Sequence, residues 1–127
     1  MQQMSASDVA TSWLEKWAGK EPMKVPLEAR TSDLDLGLPR HDPELCLASI
    51  TELLSRIPAD PENRHFQLLA AGPLEDLLSA HGDSMLDKIE TLARREPAFR
   101  RLLNGVWLSS ASPAIQERLA KYLNSPW

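Results

Sequence analysis

Side chains able to carry chemistry are few in this chain, and they are scattered. Histidine stands at 41, 65 and 81, and cysteine only at 46. No histidine lies three or four residues from another or from Cys46, the spacing that puts two metal ligands on one helix face, so no local metal site is expected. The sequence holds no His-Glu-x-x-His, no Cys-x-x-Cys, no glycine-rich phosphate loop and no nucleophile elbow. Cys46 sits in an apolar stretch and is expected to be a buried, inert thiol. A lone cysteine excludes an internal disulfide and suits a reducing cytosol. No cofactor is expected, and the chain is read as a non-enzyme. The enzymatic alternative pairs His81 with Glu75 or Asp76 and needs a cleft that gathers them. Beside Gly82, His81 reads more simply as a cation against the free carbonyls of a helix end.

Charged residues offer two binding readings. The net charge is −4, but it is unevenly spread. Residues 28–90 hold 13 acids and 5 bases, whereas residues 91–127 hold 6 bases and 2 acids. The leading reading is a protein-interaction domain whose acidic face, drawn from Asp33, Asp35, Glu75, Asp76, Asp83 and Asp87, docks on a partner protein. A small immunity or antitoxin-like protein that blocks a basic toxin is the specific form of it, because such a charge speeds association. The alternative is an anion or nucleic-acid module built on Arg94, Arg95, Arg100 and Arg101, whose planar forks suit phosphate. Bulk nucleic-acid binding is disfavoured by the acidic total. Each group also has a plainer use: Glu75 and Asp76 suit the positive end of a helix, and arginines near a helix junction suit its carbonyls.

The elements that position these residues read as helices. The chain has 127 residues, 43% of them apolar, which fits one domain with its own core. Ten prolines outnumber five glycines, a ratio that suggests many sharply started segments. Val9, Trp13 and Trp17 recur every fourth residue, giving a first helix over 8–18 capped by Ser5 or Ser7 and ended by Gly19. Its indoles are expected to be core anchors. Residues 20–41 read as a long loop, interrupted by Pro22, Pro26 and Pro39 and pinned to the body by Leu34, Leu36 and Leu38. From residue 42 to 124 short helices follow one another. Asp42-Pro43-Glu44 and Asp60-Pro61-Glu62 each offer an aspartate cap, a proline at the first helical position and an acid in the first turn. Gly72 is expected to stop one helix and Pro73 to start the next, which stops at Gly82. Ser84 to Asp87 resembles a capping box. Pro97 and Ser112-Pro113 open the last two helices. Trp107 lies in an apolar run that favours the core, and Trp127 is either a binding handle or docked on the body.

The expected fold is therefore a single all-α domain, 1–127, of irregular stacked helical hairpins. It is HEAT-like or a compact bundle, with about seven short helices and one long loop in its first half. No apolar run reaches the roughly 20 residues of a membrane span, and the start lacks the pattern of a signal peptide, so a cytoplasmic location is expected.

Ala70-Ala71-Gly72-Pro73-Leu74-Glu75-Asp76-Leu77-Leu78, followed by His81-Gly82, Phe99 and Val106-Trp107, resembles a family of small uncharacterised bacterial proteins. These share an Ala-Gly-Pro-Leu-Glu-x-Leu-Leu core, an early tryptophan-bearing helix and a late Phe…Trp segment. The likeness covers mainly residues 64–107 and agrees loosely at Trp13 and Trp17. It implies a bacterial source and a domain of unknown function, and carries no activity.

Overall fold

The computed structural model describes residues 5–18, 34, 37–106, 108 and 111–123. Every regular element among them is helical, and the fold is all-α. The first helix, α1 (Ala6–Ala18), starts at a reciprocal cap. Ser5 Oγ accepts the Asp8 N–H (3.1 Å), and the Asp8 carboxylate accepts the Ser5 N–H (3.3 Å). Val9, Ala10 and Trp13 are buried and Trp17 is half-buried, so the four-residue stripe faces the core. Gly19, offered as its stop, lies outside the described residues.

Of the long segment 20–41, Leu34 and Leu38 are buried, consistent with pinning by leucines. Its end is not loop, however. Residues Leu38–His41 form a one-turn helix, α2, with Pro39 in the first turn, where a missing N–H costs nothing. Asp42 caps α3 (Pro43–Leu54) by accepting the Leu45 N–H at 3.1 Å. The second Asp-Pro-Glu behaves differently. Asp60 closes a turn on the Glu62 and Asn63 amides, and Asn63 then caps α4 (Arg64–Leu69). The tight turn brings a second capping side chain into place three residues later, and that one takes the helix.

Gly72 does not stop a helix. The chain passes from α4 through a π turn (Ala70–Leu74) directly into α5 (Glu75–Arg95). Pro73 inside an α-helix would press its ring on the carbonyl four residues back, and the wider π turn relieves that contact. At His81 the backbone leaves helical geometry (φ −138°, ψ 23°), and α5 is two helical segments joined at this kink. Gly82 is buried against α7 (Pro113–Leu119), where an added Cβ would collide with the Ile115 side chain. Ser84 caps nothing; its hydroxyl donates to the His81 carbonyl at the kink. Close packing thus carries the helix through Gly72 and Pro73, where local signals divide it, while the break expected at Gly82 falls one residue earlier, at His81.

Helix α5 ends because Glu96 precedes a proline, which pushes it into extended backbone (φ −117°, ψ 106°). Pro97 then opens α6 (Pro97–Leu103). Ser112 caps α7 (Pro113–Leu119), and a 3-10 turn (Ala120–Tyr122) follows. Buried Asn104 fastens this turn, donating to the carbonyls of Arg100 (2.8 Å) and Tyr122 (2.9 Å). Trp107 and Trp127 lie outside the described residues.

Around α5 the other helices gather. It touches α2, α3, α6, α7 and the π turn, while α1 lies along α3. The core runs through their facing sides, with Trp13, Ile50, Phe66, Leu77, Ile89 and Phe99 almost fully enclosed. Arg56, just past α3, clamps α1 by donating to Thr11 Oγ1 (2.8 Å) and Ser7 Oγ (2.7 Å). Glu44 near the start of α3 pairs with Lys88 of α5. Ser55 and Glu96, just past the ends of the two helices, line one cavity. Helices α3 and α5 therefore run side by side in the same direction, and residues 55–74 return the chain between them.

Candidate functional site: the groove between α3 and α5

Two parallel helices leave a furrow wherever their facing side chains are small. Ala48, Thr51 and Thr91 are such residues, and between them lies an open groove of about 440 Å³. Buried Leu47 and Met85, with half-buried Leu92, supply its apolar floor. A smaller hollow of about 220 Å³ shares Thr51 and Leu92 with it and continues towards Leu54, Ala98 and Phe99. From Glu44 to Ser55 the furrow follows about 17 Å of α3, at 1.5 Å of rise per residue.

The groove is apolar by more than its carbon content. Thr51 donates its hydroxyl to the Leu47 carbonyl (2.9 Å) and Thr91 to that of Asp87 (2.8 Å). Ser55 likewise donates to the Glu52 carbonyl (2.6 Å). All three hydroxyl protons turn back onto their own helices. Charge is confined to the two ends. Glu44, Lys88 and Asp87 border one, while Glu96 borders the other. Arg95 stands one turn beyond Leu92 on the stripe Met85, Lys88, Leu92.

The acids proposed from sequence do not form one face. Glu75 and Asp76 occupy the first turn of α5, ahead of its kink. Asp83 and Asp87 lie beyond the kink and tie α5 to α7. Asp83 accepts from the Ser112 hydroxyl at 2.9 Å, and Asp87 pairs with Arg118 at 3.0 Å. Asp33 and Asp35 fall outside the described residues. Beside Asp87, Glu90 gathers Arg118 and Lys121 and accepts from the Tyr122 hydroxyl. The hydrogen bond from Arg118, followed by that from Lys121, holds its carboxyl down at about 2.

Of the arginines, Arg101 donates to the Ala59 carbonyl (2.9 Å), as expected of a side chain near a junction. Arg94 and Arg95 are exposed in the last turn of α5 and Arg100 is half-buried in that of α6. Among the described residues none of these three has an acidic partner.

The remaining candidates are dispersed. His41 is exposed, His65 meets the Trp13 ring edge-on, and His81 lies 2.6 Å from the Arg40 carbonyl. Since a carbonyl only accepts, His81 Nε2 carries the proton. His81 does meet a helix-end carbonyl, but of α2 and not of its own helix. Neither hollow is lined by it. Burial, reinforced by the charges of Asp76 and Asp42, pushes the Cys46 thiol up to about 12, which makes it inert. Among the described residues no group of three His, Cys, Asp or Glu side chains is placed to hold a metal ion, and no helix is long and apolar enough to cross a membrane.

The groove itself was not among the sites suggested by charge. Its signal lies in α3, where Leu45-Cys46-Leu47-Ala48 is apolar around most of the helix, more than a single buried stripe requires.

The chain belongs to a family of unknown function, DUF6869, whose family model matches residues 28–126. The match begins well before the segment that carries the sequence resemblance and leaves α1 outside it. No match to the chain was found among curated proteins or among solved structures.

Proposed function

We propose that the chain is a protein-interaction domain that takes a segment of a partner protein into the groove between α3 and α5. The observation that carries this reading is the groove's apolar floor, lined by hydroxyls already bonded to their own helices. A site for a small polar substrate needs several convergent donors and acceptors, whereas an apolar furrow with charged ends suits a protein side-chain stripe. Thirteen acids against five bases over residues 28–90 favour a basic partner, and an immunity-type inhibitor of a toxin is the specific version. Affinity capture from the native host with the parent chain and with Ala48→Glu tests it. A partner retained by the parent and lost by the variant is the expected result. A partner indifferent to Ala48 refutes the groove.

A second reading draws on Arg94, Arg95 and Arg100, which have no acidic partner among the described residues. An anion or nucleic-acid module predicts binding that weakens steeply with salt and with alanine at these positions. Flat titrations with DNA, RNA and inorganic phosphate remove it.

A further inference from the structure

We infer that the occupant of the groove is an amphipathic helix of the partner, basic towards Glu44 and Asp87 and acidic towards Arg95. This rests on the proposed interaction function and names the partner's chemistry.

Backbone satisfaction separates a helix from an extended segment. The walls are two α-helices whose amides and carbonyls are bonded internally, and the hydroxyls of Thr51, Thr91 and Ser55 donate to those same carbonyls. An extended peptide on this floor would bury its own N–H and C=O groups without partners, each costing about 1–3 kcal/mol. A β-strand avoids that cost by adding to a sheet edge, and the described residues contain no strand. A helix bonds its backbone internally and offers only side chains. About 17 Å of furrow holds roughly three helical turns, enough for apolar anchors at i, i+3 or i+4 and i+7.

Charge complementarity sets what flanks the stripe. At the start of α3 stand Asp42, Glu44 and Asp87, with Lys88 paired to Glu44 and Arg118 shared between Asp87 and Glu90. The Glu44–Lys88 pair is more than half exposed on both sides, so its members can exchange partners at little cost. Beyond the other end, which Glu96 lines, Arg95 stands exposed one turn past Leu92, with exposed Arg94 beside it. The lining acids Glu44 and Asp87 at one end and the exposed Arg95 just past the other offer opposite charges, and a bound helix is matched by the reverse order.

Selection from a displayed library of random peptides of about 16 residues, long enough for about 24 Å of helix, tests the inference on the full chain. Ala48→Glu serves as counter-target, with thermal melts of both proteins to confirm equal folding and Ala48→Gln as an uncharged match. The expected peptides carry the i, i+3 or i+4, i+7 apolar pattern, with bases at one end and acids at the other. They gain helical circular dichroism on binding, and Ala48→Glu weakens them at least about tenfold by burying an unpaired charge. Arg95→Glu abolishes the preference for an acidic end. Enriched peptides that are proline-rich or alternate like strands overturn the inference, as do peptides indifferent to Ala48→Glu or no enrichment at all. A dimer in sedimentation that Ala48→Glu dissociates also overturns it and makes a second copy the occupant. If host capture depends on Ala48 while the library yields no helix, protein binding stands and the helix falls; if capture ignores Ala48, both fall.

Discussion

Glu90 ties α5 to α7 and to the turn that follows it, and its chemistry gives the molecule an acid-sensitive seam. Arg118 of α7, Lys121 and Tyr122 of the following turn all converge on its carboxylate. Its ordinary value of 4.5 is lowered to about 2 in the folded chain. A carboxyl depressed by folding stabilises the fold fully above its unfolded value, and that contribution is lost as pH falls through the folded one. Denaturation midpoints measured on the way down from about pH 4.5 to about pH 2 are therefore expected to fall more steeply for the parent than for Glu90→Gln. Parallel curves would remove Glu90 from the seam. Gly82 is the steric counterpart on the same interface. In Gly82→Ala a displaced Ile115 methyl opposes a helix-propensity gain of about 1 kcal/mol, so stability changes little. Gly82→Leu sends further carbons into α7 and costs about 1–3 kcal/mol in urea denaturation. Neither residue was legible as an interface in the sequence, because their partners lie about thirty positions away and no local pattern records such a pairing.

Helix starts and stops show where local chemistry suffices and where it yields. At Asp42 the cap, the proline and the first-turn acid all lie where the residue types require. At Asp60 the same three residues make a turn instead, because Asn63 caps better placed amides. Asp42→Ala is accordingly expected to cost about 1 kcal/mol, as loss of an N-cap does, and Asp60→Ala clearly less. Thermal melts of the two variants decide between a cap at both sites and a cap at one. Gly72 misleads for a related reason. Glycine permits a stop but does not impose one, and burial of Pro73, Leu74 and Leu77 keeps the chain helical across it, whereas at Gly82 the expected stop adjoins the break at His81. The all-α class and most starts could be read from residue types, whereas continuity through the π turn depends on tertiary packing.

At the scale of the whole molecule, charge was legible along the sequence, but the groove was not. It arises because α3 and α5 run parallel with small residues facing each other, a relation between segments about forty residues apart. The enclosed side of α3 offers a test of how the whole body holds together. Cys46 is fully buried, and its thiol is pushed up to about 12, so a thiol reagent reaches it only when the chain opens. Helix α1 lies outside the family match yet lays Val9 and Trp13 into the common core and is clamped by Arg56. If α1 and the rest unfold as one unit, the labelling rate of Cys46 under native conditions tracks global stability. Trp13→Ala, losing about 3–5 kcal/mol as large core truncations do, then accelerates labelling by the factor its denaturation free energy dictates. If instead Cys46 in the parent labels quickly while helical circular dichroism stays intact, α3 opens locally. In that case the groove it borders is a mobile surface and not a preformed one.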